Sequence, residues 1–173
     1  MPVPTDDTLS LLSRDAGERL LAARRRLVTA ESCTGGWIAK LCTDIPGSSE
    51  WFDGGFVCYS NLAKTRDLGV PEKLIAEEGA VSDAVVRAMA EGALVRTGAS
   101  VAIAVSGIAG PSGASPGKPV GTVWFALAQQ IEDRRECQGH LIQFDGDRDA
   151  VRRQSAEYAL NLLRSLPALP PPP

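Results

Sequence analysis

The strongest constraint on the fold is a continuous apolar run, SVAIAVSG, at residues 100–107. A run of this length without polar alternation is typical of a strand covered on both faces, as in a sheet between two layers of helices. It leads into a long loop rich in glycine, proline and serine, residues 108–121. A loop of that length in a folded domain is usually functional or disordered. We therefore expect a strand buried on both faces that ends beside a loop, and that loop is either functional or a flexible connection.

Helical and strand-like segments alternate around this run. We expect helices at 6–26, from 37 to Pro46, at 61–70, 71–81, 83–97 and 147–166, and strands at 27–30, 54–59, 122–129 and 136–144. The last two strands are expected to pair. This order favours an α/β fold, a single-domain three-layer α/β/α sandwich with a mixed sheet. We assign residues 1–166 to that domain and residues 167–173 to an extended proline-rich tail.

Composition limits the partners of the chain. The 173 residues fit one domain, and the net charge of −3 comes from 18 basic and 21 acidic residues. That balance argues against nucleic-acid binding, and an aromatic content of 5% argues against base stacking. No apolar run approaches the roughly 18 residues of a membrane span. The first ten residues, MPVPTDDTLS, do not resemble a signal peptide, so we expect a cytoplasmic protein with reduced cysteines.

Rare residues limit the chemistry. The single histidine, His140, excludes a zinc site built from several histidines, and a Ser-His-Asp triad would have to use it. The four cysteines form no C-x-x-C pair, so metal-finger and thioredoxin spacings are absent. P-loop and G-x-G-x-x-G patterns are absent as well. We expect neither a metal nor another cofactor.

The first candidate site segment lies between a strand and a helix and comprises Ser32, Cys33, Thr34, Gly35 and Gly36. Ligands of α/β sheets bind beyond the carboxyl ends of strands, and N–H groups at a helix start can hold a phosphate or an oxyanion. Adjacent glycines let a ligand approach the backbone closely. The alternative is an ordinary capped helix start with Ser32 or Thr34 as the N-cap.

The second segment contains Tyr59, Asn61 and Lys64 at a strand-to-helix junction. In a chain with four lysines against fourteen arginines, a lysine here is notable. An amine can lose its proton and act as a base, whereas a guanidinium cannot. The alternative is a solvated surface lysine and a half-buried tyrosine.

Two further segments could contribute to the same crevice. The loop after the apolar strand is either a flexible connection or a wall of that crevice, formed by Ser106, Gly107 and Gly110. Arg148 could bind a phosphate with its guanidinium fork, or pair with Asp145 or Asp149.

Taken together, the motifs ESCTGG, YSN-x-x-K, VSGIAGPSG, KPVGTVWFALA and GDRDAVRRQ resemble the CinA C-terminal domain family over residues 8–166. Stand-alone members of that family include deamidases that hydrolyse nicotinamide mononucleotide to nicotinic acid mononucleotide and ammonia without a metal. The additional N-terminal domain of longer members is not found in this sequence. The resemblance implies a small-molecule nucleotide substrate and a homodimer.

The resemblance also implies roles for individual residues. The nucleophile of the family matches Ser32, its lysine matches Lys64 and its tyrosine matches Tyr59. Backbone N–H groups from Cys33 to Gly36 are then candidates for the oxyanion site. The nicotinamide ring and ribose would lie against the loop at 106–110, with Asn61 nearby, and Arg148 would meet the 5′-phosphate. Glu31 is an alternative base or an ion-pair partner of Lys64.

Two other classes compete with an amidohydrolase. A non-catalytic nucleotide-binding or regulatory module would use the same glycine turns without acyl chemistry. A DNA repair or uptake factor is disfavoured by the net charge of −3.

Overall fold

Five strands form one mixed sheet in a computed structural model that describes residues 3–166. The strands are β1 Leu27–Glu31, β2 Phe52–Val57, β3 Val101–Gly107, β4 Thr122–Ile131 and β5 Arg134–Gln143. Their order across the sheet is β2-β1-β3-β4-β5. β1 runs parallel to both β2 and β3, whereas β4 is antiparallel to β3 and to β5. The apolar run that opened the sequence analysis is therefore the central strand, and the predicted hairpin is the β4–β5 pair.

Six helices cover the sheet, and a short 3₁₀ turn spans Ser48–Glu50. The helices are α1 Asp6–Ala22, α2 Trp37–Thr43, α3 Asn61–Leu68, α4 Glu72–Glu78, α5 Asp83–Arg96 and α6 Arg148–Arg164. The expected extension of α1 to residue 26 is wrong, because Arg24 adopts a φ of 52° that interrupts a right-handed helix. The predicted proline-rich tail at 167–173 lies outside the described residues.

Each face of the sheet packs against its own set of helices. The face toward α1, α2 and α6 carries bulky side chains, among them Leu27, Val101, Ile103, Val105, Phe125 and Leu127. The face toward α3, α4 and α5 is mostly alanine: Ala30, Ala102, Ala104, Ala126 and Ala128. Small side chains let the second helical layer approach the sheet closely. The three-layer α/β/α sandwich with a mixed sheet is confirmed.

A glycine determines how closely α3 packs against α5. A Cβ at Gly92, in the middle of α5, would lie 2.0 Å from the carbonyl oxygen of Leu68 at the end of α3. Only a residue without a side chain fits there, so α3 lies in backbone contact with α5. This packing sets the position of Lys64, which lies on α3. Within residues 3–166, no helix has the length and apolar character needed to cross a bilayer.

Candidate active site

The site lies at the carboxyl edge of the three parallel strands. Because β1, β2 and β3 run in the same direction, the segments that follow them meet at one edge of the sheet. Ser32 directly follows β1, and its N–H donates to Val105 O of β3 at 3.0 Å. The Cys58 N–H, directly after β2, donates to Glu31 O at 2.8 Å. The predicted nucleophile is therefore anchored between its two neighbouring strands.

Lys64 lies beside Ser32 in the protein interior. The lysine is 1% exposed and the serine 8% exposed. The Nζ atom of Lys64 lies 3.1 Å from Ser32 Oγ and donates to Cys58 O at 3.0 Å and to Tyr59 O at 3.3 Å. The alternative of a solvated surface lysine is wrong.

The surroundings of Lys64 favour its neutral form. Burial lowers the pKa of the Lys64 ammonium, because desolvation penalises the charged state. Among the ion pairs of residues 3–166, none involves this lysine. A neutral amine has two N–H groups and one lone pair. The two carbonyls can accept the N–H groups, which leaves the lone pair for the hydroxyl proton of Ser32.

The thiol next to Ser32 does not compete as a nucleophile. Cys33 is 6% exposed, and burial raises the pKa of its thiol to about 12. The thiolate is the reactive form of cysteine, and at neutral pH this side chain carries almost none of it. Of these two side chains, the Ser32 hydroxyl is therefore the better candidate nucleophile.

Glu31 occupies the start of α2. Its fully buried carboxylate accepts hydrogen bonds from Thr34 Oγ1 at 2.7 Å, from Ile38 N at 3.1 Å and from Ala39 N at 2.8 Å. The N-cap residue is Gly36, which has a φ of 92° and no capping side chain, so the alternative of a serine or threonine N-cap is wrong. The carboxylate makes no ion pair within residues 3–166, which leaves it as an anchor for the helix start.

The turn between β1 and α2 keeps three N–H groups free. The Gly35 N–H donates to Ser32 O at 3.1 Å, which closes a four-residue turn. The N–H groups of Cys33, Thr34 and Gly36 have no oxygen acceptor in the part of the chain that the structure describes. Those of Cys33 and Thr34 are nearest to the serine hydroxyl in the chain, so they are the first candidate donors to an oxyanion.

Arg148 connects two of the predicted segments at the rim of this edge. Its Nη1 donates to Gly110 O at 2.8 Å, and its Nη2 donates to the Tyr59 hydroxyl at 3.2 Å. Tyr59 is 63% exposed, so its phenol faces solvent and Arg148, whereas its main-chain carbonyl contacts Lys64. Arg148 makes no ion pair among the described residues, and Asp149 bonds Arg153 instead.

The other predicted binding residues make mainly structural contacts. The Ser106 hydroxyl, 1% exposed, donates to Ala80 O at 2.7 Å. A Cβ at Gly107 would lie 2.7 Å from a methyl group of Val123, so the glycine permits tight strand packing. Asn61 is exposed at the first position of α3. Their contact with a substrate stays a prediction.

One residue beside the site, Arg152, was not predicted from the sequence. Arg152 donates from Nε to Cys33 O at 3.2 Å and from Nη2 to Thr34 O at 2.9 Å, and its guanidinium lies 5.0 Å from the centre of the Trp37 ring. In the sequence it belongs to a charged stretch typical of a solvated helix face. Its spacing is the available signal, because it follows Arg148 by one helical turn and therefore shares its side of α6.

Fold and site together define a three-layer α/β protein with a buried serine–lysine pair at the carboxyl edge of its parallel strands. Within residues 3–166, no three histidine, cysteine, aspartate or glutamate side chains are grouped as metal ligands. The model of the CinA C-terminal domain family matches residues 10–166, and the chain belongs to this family. The resemblance predicted from its motifs is thereby confirmed.

Characterised relatives cover nearly the whole chain. This chain is 54% identical over 162 residues to the nicotinamide-nucleotide amidohydrolase PncC of Escherichia coli, and the alignment covers 92% of this chain and 94% of the relative. It is 52% identical over 163 residues to PncC of Pseudomonas putida, with 92% and 98% covered. The crystal structure of a competence/damage inducible protein from Agrobacterium tumefaciens superposes with a TM-score of 0.85 at 39% identity, covering 94% and 96% of the two chains.

Proposed function

We propose that this protein is an amidohydrolase that converts nicotinamide mononucleotide to nicotinic acid mononucleotide and ammonia. The observation that carries the proposal is the 3.1 Å approach of a buried lysine amine, free of any carboxylate partner in the described residues, to a serine hydroxyl. The names of relatives that are more than half identical to this chain support the substrate class. No step requires a metal or another cofactor.

Ser32 is the nucleophile and Lys64 its base. The neutral amine takes the hydroxyl proton while Ser32 Oγ forms a bond to the carboxamide carbon. The carbonyls of Cys58 and Tyr59 hold the two N–H groups of Lys64, so the amine lone pair stays directed at the serine. Once protonated, Lys64 carries the proton that the leaving nitrogen needs.

The rest of the cycle follows from the same groups. The free N–H groups of Cys33 and Thr34 stabilise the oxyanion of the tetrahedral intermediate. The carbon–nitrogen bond breaks, Lys64 gives its proton to the departing ammonia, and an ester of Ser32 is left. Lys64 then takes a proton from the water that attacks the ester, and it returns that proton to Ser32 Oγ as the bond between carbon and Ser32 Oγ breaks and the carboxylate product leaves.

We assign substrate binding to the exposed residues around the carboxyl ends of the parallel strands. Arg148 meets the 5′-phosphate, since its guanidinium is exposed, has no ion-pair partner among the described residues and presents a fork suited to phosphate. The loop from Ser106 to Gly110 supports the ring and ribose, and the exposed Asn61 is a further candidate contact. Homodimer formation and a cytoplasmic location, implied by resemblance and composition, stay predictions.

The test is ammonia release from nicotinamide mononucleotide. Ser32→Ala and Lys64→Ala each should lower kcat by about 10³-fold or more, since such groups act as a unit. Ser49→Ala, on the exposed 3₁₀ turn, is the matched control and should keep full activity. Tight binding of the mononucleotide without ammonia release by the wild type would favour the non-catalytic nucleotide-binding module. Turnover that survives Ser32→Ala would overturn the serine mechanism and keep the activity.

A further inference from the structure

We propose that Arg152 is a positioning residue that aims the oxyanion-binding N–H of Thr34 at the reacting carbonyl. The inference deepens the proposed function and rests on its serine mechanism. It starts from the two hydrogen bonds that Arg152, on α6, makes to the carbonyls of Cys33 and Thr34 in the turn after Ser32.

Because a peptide group is planar, a hydrogen bond that fixes the direction of its carbonyl also fixes the direction of its N–H. The carbonyl of Cys33 and the N–H of Thr34 belong to one planar trans peptide, so they point in opposite directions. By holding Cys33 O at 3.2 Å, Arg152 directs the Thr34 N–H away from α6. The Thr34 N–H makes no hydrogen bond in the part of the chain that the structure describes, so it is free to meet an oxyanion formed at the neighbouring Ser32.

The same turn is held from its other side by Glu31. That buried carboxylate accepts the Thr34 hydroxyl at 2.7 Å, while Arg152 Nη2 holds Thr34 O at 2.9 Å. The Gly35 N–H is already engaged with Ser32 O. Without the arginine, the peptide between Cys33 and Thr34 is free to rotate and can present its carbonyl to the developing oxyanion. That orientation repels the charge that the N–H would stabilise.

Only a stacked, forked cation fits this task. The two bonds of Arg152 leave from different nitrogens of one planar group, and that plane lies 5.0 Å from the Trp37 ring centre. A lysine presents a point charge on a flexible stem and cannot reproduce both bonds in fixed geometry.

The neighbouring Arg153 provides the matched control. Its guanidinium also lies 5.0 Å from the Trp37 ring centre. Its bonds go to Asp6 at 2.6 Å, Asp149 at 2.8 Å and Pro4 O at 3.4 Å, and none goes to the turn. Replacing Arg153 by lysine therefore alters the same contact with Trp37 and keeps the positive charge, as Arg152→Lys does, but it does not release the Cys33 carbonyl.

The first experiment compares Arg152→Lys with Arg153→Lys in ammonia release. Loss of one oxyanion donor costs about 10²–10³ in kcat, and a misaligned donor should lose roughly 10- to 100-fold. We expect that loss in kcat for Arg152→Lys with KM within about threefold, because the donor acts only in the transition state. Arg153→Lys should keep both constants within about twofold. An equal loss in both variants, or a change in KM alone, overturns the proposal.

The second experiment does not depend on the natural substrate. A fluorophosphonate probe forms a bond between phosphorus and Ser32 Oγ, the phosphorus–fluorine bond breaks, fluoride departs, and Lys64 takes the hydroxyl proton. The phosphoryl oxygen needs the same N–H donors as an oxyanion, so Arg152→Lys should slow labelling of Ser32 by a similar factor. Arg153→Lys should label as the wild type does.

These readouts separate the two proposals. One outcome is that the wild type releases no ammonia while Arg152→Lys still labels more slowly than the wild type. That pair of results overturns the proposed substrate and supports the positioning role. Unchanged labelling in Arg152→Lys, or no labelling of wild-type Ser32, overturns the positioning role. Melting temperatures check folding, and if Arg152→Lys is unfolded, Arg152→Gln replaces it in both assays. Labelling per folded molecule equal to the wild type in Arg152→Gln then overturns the role.

Discussion

Lys64 Nζ lies 3.1 Å from Ser32 Oγ, and the other two groups around this amine are uncharged main-chain carbonyls. Most buried lysines are paired with a carboxylate, which keeps them protonated. Here burial lowers the pKa of Lys64, and the lysine makes no ion pair within residues 3–166. The interior therefore favours a neutral amine beside the Ser32 hydroxyl, which is the form that the proposed mechanism requires.

We expect kcat/KM to fall at acidic pH, where Lys64 is protonated and cannot act as the base. Below the pKa of its ammonium, the neutral fraction rises about tenfold per pH unit, so log kcat/KM should rise with a slope of about 1 and then level off. Because burial lowers that pKa, the plateau should begin below the ordinary value of 10.5. The measurement is the pH profile of ammonia release at limiting substrate. Tyr59→Phe should keep this pH dependence, since only the main-chain carbonyl of that residue contacts Lys64.

The same pKa links stability to pH. Between the lowered folded pKa and the higher unfolded pKa, the unfolded chain binds more protons, so the free energy of unfolding should rise with pH across that window. Urea unfolding of the wild type and Lys64→Met at several pH values measures the difference. A wild-type profile parallel to that of Lys64→Met would show that the buried amine does not titrate as proposed.

Replacing Arg148 should affect recognition of the phosphate. Arg148→Met removes a guanidinium fork at the rim and should raise KM for nicotinamide mononucleotide by about 10- to 100-fold, the worth of one or two charge-assisted hydrogen bonds. Steady-state kinetics with nicotinamide riboside, which lacks the phosphate, is the control reaction. An equal rise in KM for both compounds would assign Arg148 to holding Gly110 and Tyr59 instead.

Glu31→Gln should destabilise the fold. The carboxylate accepts three hydrogen bonds at the start of α2, and an amide can accept them only at its oxygen while its NH₂ group faces a backbone N–H. We expect a loss of about 2–3 kcal/mol in the free energy of unfolding, measured with urea. Glu91→Gln, exposed on α5, should change it by less than about 0.5 kcal/mol. Equal stability of the two variants would contradict the role of Glu31 as an anchor.

Gly92→Ala should destabilise the protein although alanine favours helices. Helix propensity alone predicts a gain of about 1 kcal/mol inside a helix. The added methyl group would lie 2.0 Å from Leu68 O, so α3 must move away from α5, which costs about 1–3 kcal/mol or more. The expected outcome is a lower melting temperature and, because α3 carries Lys64, a lower kcat. Gly98→Ala, whose methyl group meets nothing within 4 Å, is the control, and a Gly92→Ala protein as stable as Gly98→Ala would refute the packing argument.

Periodicity and strand-end reasoning predicted most of the architecture. A fully apolar run predicts a strand buried on both faces, because that pattern depends only on local composition, whereas the central position of β3 in the sheet was not predicted. The end of α1 was predicted four residues too late, since nothing local to Arg24 signals its positive φ. Motif resemblance placed Ser32 and Lys64 in one site, and the structure brings their side chains into contact.

Contacts between distant segments could not be predicted. Glu31 reads as a possible base, yet its carboxylate lies against the start of α2, which depends on how the chain turns back at Gly36. Arg152 reads as a surface charge until α6 is packed beside the turn. Tyr59 matches the tyrosine of the family, but the sequence does not show that its phenol contacts Arg148 while its carbonyl contacts Lys64. Each difference comes from backbone geometry that a linear pattern does not encode.

The clamp from Arg152 to Cys33 joins residues 119 positions apart and has a consequence for synthesis. Ser32 and Lys64 leave the ribosome early, whereas the helix that orients the turn is translated near the end of the described chain. At about 5–20 residues per second, that delay amounts to roughly 6–24 s. On the proposed mechanism, a nascent chain therefore lacks the aligned donor until α6 has been translated. On that mechanism, full activity requires a docked α6 and therefore reports on completed folding.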